Sequence, residues 1–347
     1  MMKRFITYIS AAWFGCLLIF SCSHDEEVSV VQAYTGPTVQ LELSMPHTSL
    51  SSYAVQALPP DADYEEEGIG LENEIRVNPL DLHVFVFDKV SGKYIGQAIG
   101  LTCKKVPNSL TRSVVSGKLP SETLGKQVTL VLMANYEGRQ ATPIAPASTA
   151  VSLRDWLSQN TFDYSRSRWT YKETYLPMSG HTHLTVQSAS TLSRPIYGVM
   201  ELTRAIAQVR IALQPSCTDQ LSGITVNHAR RVSYSLRQAQ GTVVYPDQQP
   251  LDLRFEALQL SAGQSHSFYI PEQVKGAVTL SLQFNDGKTF PIEFARYVHN
   301  QPAPNSHYPI QRNYIYQYNI SRKPNSTFDV ETTVMPWVTH DINTDFN

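Results

Sequence analysis

His181 and His183 stand two residues apart, a spacing that puts both imidazoles on one face of a strand and could hold a zinc ion. Two ligands do not complete such a site, and no cysteine or acidic partner is evident, so a polar surface strand is expected and no metal. Asp61, Asp63, Glu65, Glu66 and Glu67 carry the charge of a calcium loop without its alternating ligands, central glycine and closing glutamate. They read as a solvated loop. Arg230, Arg231 and Arg237 lack the interleaved aromatics of a nucleic-acid surface and read as a solvated face. Trp156 and Trp169, with Tyr164, Tyr171 and Tyr175, form the densest aromatic stretch. Such a group can bind sugars, but core packing is the expectation. The chain has no G-x-S-x-G elbow, Walker loop, H-E-x-x-H or dinucleotide fingerprint, and no carboxylate pair is singled out for glycoside hydrolysis. The reading is of a protein that is not an enzyme, with no cofactor and no nucleic-acid partner.

The one residue with a distinct covalent chemistry is Cys22. Lys3 and Arg4 precede an apolar stretch from Phe5 to Phe20, too short and too near the end to read as a stable membrane span. Together with Ile19-Phe20-Ser21-Cys22 this order resembles a bacterial lipoprotein signal, cut before Cys22, whose thiol is then acylated. Residues 1–21 are thus expected to be a signal peptide, with the outer membrane reached through the lipid. Residues 22–37 form a tether whose acidic start, Asp25-Glu26-Glu27, resembles the surface-export signal of Bacteroidota lipoproteins. Cys103 and Cys217 are too few for a disulfide framework and are expected to be separate buried thiols.

The elements behind these residues are strands. Of 347 residues, 42% are hydrophobic and 17% charged, which leaves material for real cores and makes wholesale disorder untenable. The net charge of -2 gives no field to recruit an anionic polymer. Eighteen Tyr and thirteen Phe favour strands over helices. Val39, Leu41, Leu43 and Met45 alternate with polar residues, the period of a half-buried strand, and Pro46 ends it. Leu80–Phe87 and Val128–Ala134 are apolar on both faces, as central strands are. Shorter strands are expected at 93–101 and 110–118, and the only convincing helix at Val151–Gln159. Val278, Leu280, Leu282 and Phe284, then Asn285-Asp286-Gly287, then Phe290, Ile292 and Phe294, spell a hairpin. Arg312–Ile320 and Val330–Trp337 supply closing strands, with Trp337 expected as a core plug. The whole reads as an all-β chain of two antiparallel sandwiches in tandem, 38–195 and 196–347.

Several of these strands resemble the fimbrillins of the Bacteroidales type V pilus. The similar pieces are Leu80–Phe87, Leu130–Asn135, Pro177–Gly180, Leu202–Ile211, Arg312–Tyr316 and Val334–Trp337, in order over nearly the whole mature chain. The resemblance implies two transthyretin-like sandwiches, export as a lipoprotein to the cell surface, and a place in a fimbrium among other pilus subunits. It implies that a protease specific for Arg or Lys removes the first strand and that a neighbour's C-terminal strand fills the groove. The displaced strand would be Val39, Leu41, Leu43 and Met45. The donor would lie within Phe328–Asn347, with Val330, Val334 and Trp337 as its apolar positions.

One departure bears on this. No Lys or Arg occurs from Ser23 to Ile75, so the loop after the first strand, Ser51-Ser52-Tyr53-Ala54, offers no trypsin-like cut. Arg76 is the first candidate processing residue. A chain that keeps its first strand cannot accept a donor strand there, though it can still donate and it keeps its lipid. That suits an anchor or minor subunit better than a shaft subunit. The alternative from another class is a surface adhesin or glycan-binding lipoprotein at a pilus tip, with a host or bacterial surface ligand.

Overall fold

The computed structural model describes residues 36–45, 76–107, 109, 111–136, 146, 148–163, 175–187, 194–236, 251–322 and 328–337. All lie within one compact unit, Gly36–Asn347.

The alternating segment forms β1 (Thr38–Ser44), whose inward side chains are shielded from water while its outward ones are partly exposed. Its sheet also holds β4 (Ile99–Lys105), β5 (Arg112–Lys118) and β9 (Ile196–Glu201), in the order β4-β5-β1-β9. The facing sheet has the order β10-β8-β6-β2-β3. These strands are β2 (Leu82–Asp88), β3 (Tyr94–Gln97), β6 (Gln127–Ala134), β8 (Met178–Thr185) and β10 (Thr203–Arg204). Both apolar runs, as expected of central strands, lie inside this sheet as β2 and β6. The strand expected from Leu80 begins later, because Asn78 to Leu80 turn into it and Leu80 is 90% exposed.

The helix is α1 (Leu153–Gln159). Ser152 caps it by accepting the Asp155 N–H at 3.1 Å, which satisfies one of the free donors of the first turn. Its Trp156 lies over the sheet, with ring centres 4.8 Å from Phe85 and 5.3 Å from Phe87.

The second half repeats the plan. One sheet runs β15-β11-β20-β21, from β11 (Ile206–Leu213), β15 (Ser265–Pro271), β20 (Tyr314–Arg322) and β21 (Phe328–Pro336). The other runs β14-β12-β16-β17, from β12 (Leu221–Ala229), β14 (Leu251–Phe255), β16 (Thr279–Phe284) and β17 (Thr289–Glu293). The β16–β17 hairpin is the one spelled by Asn285-Asp286-Gly287, with Gly287 at φ 79° where a side chain would be strained. Phe284 meets Phe328 across the two sheets at 4.7 Å. Phe294 meets Tyr316 and Tyr318, each at 5.7 Å.

The halves share a topological signature. β1 runs antiparallel to β5 and parallel to β9; β11 runs antiparallel to β15 and parallel to β20. Residues 196–204 lie beyond the boundary expected at 195, yet β9 pairs with β1 and β10 with β8. The passage to the second pair of sheets therefore falls at Ala205. Periodicity could not place it, since a strand carries no mark of the sheet it joins. A further two-stranded ladder, β7 (Thr161–Asp163) with β13 (Val232–Tyr234), ties the halves together. Around it, Tyr136 Oη and Ser179 Oγ donate to the Ser235 carbonyl at 2.8 and 3.1 Å. Arg312, almost fully buried, donates to the Tyr234 carbonyl and to Glu272.

Candidate strand-exchange site

β1 lies in the middle of its sheet. Every residue from Thr38 to Ser44 has a partner on β5, from Lys118 to Arg112, and Val39 to Ser44 pair with Ile196 to Glu201 of β9. Val39 and Leu41 are 0% exposed, Leu43 1% and Met45 2%. The segment thus satisfies backbone groups on both sides and closes the apolar face of the first sandwich. On the outer face Glu42 pairs with Arg112 of β5. Both are partly exposed, so that pair contributes little.

The candidate processing residue is held from an unexpected quarter. Asn135, at the end of β6 with φ 68°, donates through Nδ2 to the carbonyls of Arg76 (2.9 Å) and Leu176 (2.7 Å). Its Oδ1 accepts the Asn78 N–H at 2.8 Å. The Arg76 side chain is exposed and lies over the Tyr175 ring at 5.4 Å, but the next residue, Val77, is buried. A protease needs an extended, released backbone on both sides of the bond it cuts. Here the carbonyl of that bond is engaged and the following side chain is tucked away.

The C-terminal segment is folded back. Phe328 to Pro336 pair residue for residue with Arg322 to Tyr314, so β21 is the outer strand of its own sheet. Val330 is half-buried and Val334 is 39% exposed, while Trp337 is 0% exposed. Trp337 is the plug expected, but both halves grip it. Tyr269 of β15 stacks on it at 5.8 Å, and Arg204 of β10 lies over its ring, 4.2 Å from the centre. Arg204, itself 0% exposed, also donates to the Trp337 carbonyl and to Asn313 Oδ1, both at 3.1 Å. Sequence reasoning missed this pair. An arginine opposite a tryptophan 133 residues later leaves no local signal.

The remaining candidates take ordinary places. His181 and His183 share a face of β8 with ring centres 6.1 Å apart, and no metal-holding group of three ligands exists among the described residues. Burial and nearby Lys89 and His181 hold the His183 pKa below the usual histidine value. Arg231 pairs with Asp163 at 3.1 Å. Trp156 is 4% exposed, a core residue and not a platform. Cys103 is half-buried and Cys217 buried, and both are free thiols. Burial pushes the Cys103 thiol pKa up. Cys22, the acidic run 61–67, Tyr164, Trp169, Tyr171, Arg237 and residues 338–347 lie outside the described residues.

A solved structure of the tip fimbrial protein Mfa3 from Porphyromonas gingivalis, with C-terminal truncation, matches 87% of this chain and 100% of its own at 17% identity and TM-score 0.55. The fold is shared with a fimbrial protein. A candidate cell adhesion protein from Bacteroides uniformis matches at 9% identity and TM-score 0.47, covering 87% of this chain and 98% of its own. The fimbrial anchor protein Mfa2 from Porphyromonas gingivalis matches at 10% identity and TM-score 0.40, with the same coverages. No protein-family model matches the chain. No curated protein matches it by sequence.

Proposed function

We propose that the chain is a lipidated, surface-exported fimbrial subunit that keeps its first strand and so serves as an anchor or other minor subunit. The observation that carries this reading is the complete integration of β1, with Val39, Leu41 and Leu43 at most 1% exposed between two ladder partners and Met45, just beyond the ladder, 2% exposed. A first sandwich filled by its own strand has no groove to offer a donor. The absence of Lys and Arg from Ser23 to Ile75, and the grip of Asn135 on the Arg76 carbonyl, both oppose removal of that strand. The fold shared with a fimbrial tip protein agrees with a place in a fimbrium.

In this reading the subunit gives a strand and does not take one. The strand given is β21, with Val330 and Val334, and the Trp337 that follows it; the segment must first leave β20 and slip the Arg204 clamp. Strand addition then satisfies the backbone groups of the acceptor and covers its apolar face. The acyl chain on Cys22 and the uncut tether 22–37 hold the assembly to the outer membrane. No catalytic step and no cofactor enter. The adhesin reading loses one of its supports, since Trp156 is packed against Phe85 and Phe87.

Mass spectrometry of the protein from assembled fimbriae tests the proposal. An acylated Cys22 and an intact chain through Arg76 are expected. A mature N-terminus beyond Met45 overturns it.

A further inference from the structure

The two sandwiches differ beside their parallel strands. In the second, the place outside β20 is filled by β21, antiparallel to it. The outer edge of β21 is itself engaged near its start: Asn300 accepts the Val330 N–H through Oδ1 at 3.2 Å and donates to Asp329. Asn300 sits at the tip of a hairpin made by β18 (Ala295–Val298) and β19 (Gln301–His307). In the first sandwich the equivalent of β20 is β9, and among the described residues no strand lies outside it. Where edge strands are usually guarded by lysine, proline or a bulge, β9 presents Tyr197 at 68% and Val199 at 66% exposure.

The backbone phase of β9 fixes what can pair there. The Leu202 N–H donates to the Ser44 carbonyl at 2.8 Å, so residue 202 turns towards β1. In a parallel ladder alternate residues turn both polar groups to the same neighbour, so Ile196, Gly198 and Met200 also face β1. Tyr197 and Val199 turn their N–H and carbonyl groups away. Pro195 has no N–H and ends this run on one side. On the other, the Glu201 carbonyl is directed at β8, where a Cβ on Gly180 would come within 2.4 Å of it. Among the described residues, what is left open is a three-residue edge, Tyr197-Gly198-Val199.

We infer that this edge pairs with the same edge of a second copy, antiparallel and centred on Gly198, to join the two β4-β5-β1-β9 sheets into one. A two-fold axis normal to the sheet, midway between the two Gly198 residues, sets Tyr197 opposite Val199 of the second copy, and Val199 opposite its Tyr197. Both residues are of the outward-turned phase, so each facing pair exchanges two backbone hydrogen bonds. Both side chains lie on the outer face, where an aromatic meets a β-branched residue, a favourable cross-strand pair. The residue at the axis faces inward, where a Cβ would meet Leu184 and Leu41, so Gly198 itself places no side chain in the approach. An edge one residue out of phase would place the bonding groups on the wrong side. The exposed Tyr197 and Val199, each the other's cross-strand complement, and the stops at both ends of the run point to a second copy as occupant. The inference stands on β9 alone and does not depend on a fimbrial role.

The test is sedimentation velocity of the full chain in detergent over a range of concentrations, with the variant Val199→Pro. A monomer–dimer equilibrium is expected, and the proline, which removes an outward N–H but no bond to β1, should raise the dissociation constant by about tenfold or more. Circular dichroism and the thermal midpoint should be unchanged, which separates lost pairing from lost folding. Under oxidising conditions, Tyr197→Cys and Val199→Cys proteins should form a disulfide with each other when mixed and far less when alone. A chain that is monomeric throughout, a dimer indifferent to Val199→Pro, or Tyr197→Cys cross-linking equally well by itself each overturns the inference.

Discussion

The guanidinium of Arg204 lies 4.2 Å from the centre of the Trp337 ring and donates to the Trp337 carbonyl at 3.1 Å. One residue belongs to the short strand that ends the first sandwich, and the other directly follows the last strand of the second. Stacking and a charge-assisted hydrogen bond in a dry site are together worth about 2–4 kcal/mol. Arg204→Ala should lower stability by that amount in chemical denaturation and expose Trp337, with a red shift of its fluorescence. Arg204→Lys should recover little, because an ammonium lacks the flat fork that stacks and bonds at once.

Leu41 is 0% exposed in the centre of β1, and Leu41→Ala should cost about 2–5 kcal/mol. Glu42→Gln, one residue along on the outer face, should change stability by less than about 1 kcal/mol. Denaturant titration of the two variants checks whether β1 is a structural member of the first sandwich or an ornament on it.

Trypsin should spare the Arg76–Val77 bond in the folded chain. Asn135→Ala removes both the bond to the Arg76 carbonyl and a residue suited to φ 68°. Cleavage after Arg76 should then become prominent in a mass-spectrometric digest under native conditions.

Gly180→Ala should be destabilising by about 1–3 kcal/mol, because its Cβ would meet the backbone carbonyl of Glu201, which cannot swing aside as a side chain could. Thermal unfolding measures it, with Gly92→Ala as a contrast: that position is open but at φ 68°, so its smaller cost is conformational.

Tyr308, Tyr316 and Tyr318 share a buried cluster in which Tyr316 Oη donates to the Pro309 carbonyl and Tyr308 Oη to the Ala295 carbonyl. Burial pushes the Tyr308 pKa up to about 12, and raises those of Tyr316 and Tyr318 further. Their folded pKa values lie above the unfolded value near 10, so the stabilisation is complete below pH 10. It is lost as pH rises, since the unfolded chain sheds protons that the folded one retains. Absorbance at 295 nm should show these phenols silent until the chain unfolds, and stability should fall between pH 10 and about 12.

The strands with strong local patterns could be read directly: β1 from its unbroken alternation, β6 from its doubly apolar run, α1 from Ser152 and Asp155, and the β16–β17 hairpin from its Asn-Asp-Gly turn. Partnership could not. Nothing near Ile196 says that its neighbour is Val39 and that the two run parallel. Nothing near Asn135 says that it will hold the Arg76 carbonyl. The candidate donor segment is subtler, because its apolar positions fit an exchanged strand and a resident one equally well. Only the ladder from Tyr314 to Arg322 distinguishes them.

The parallel pairing of Val39 with Ile196 has a consequence in time. A chain emerging N-terminus first exposes the Val39 segment long before its far-side neighbour has been made, and contacts of such high sequence separation form late. The earliest stave of the first sandwich is thus the last to be locked. Throughout that interval a greasy alternating ribbon stands ready to be captured by a chaperone or to be claimed by another nascent molecule.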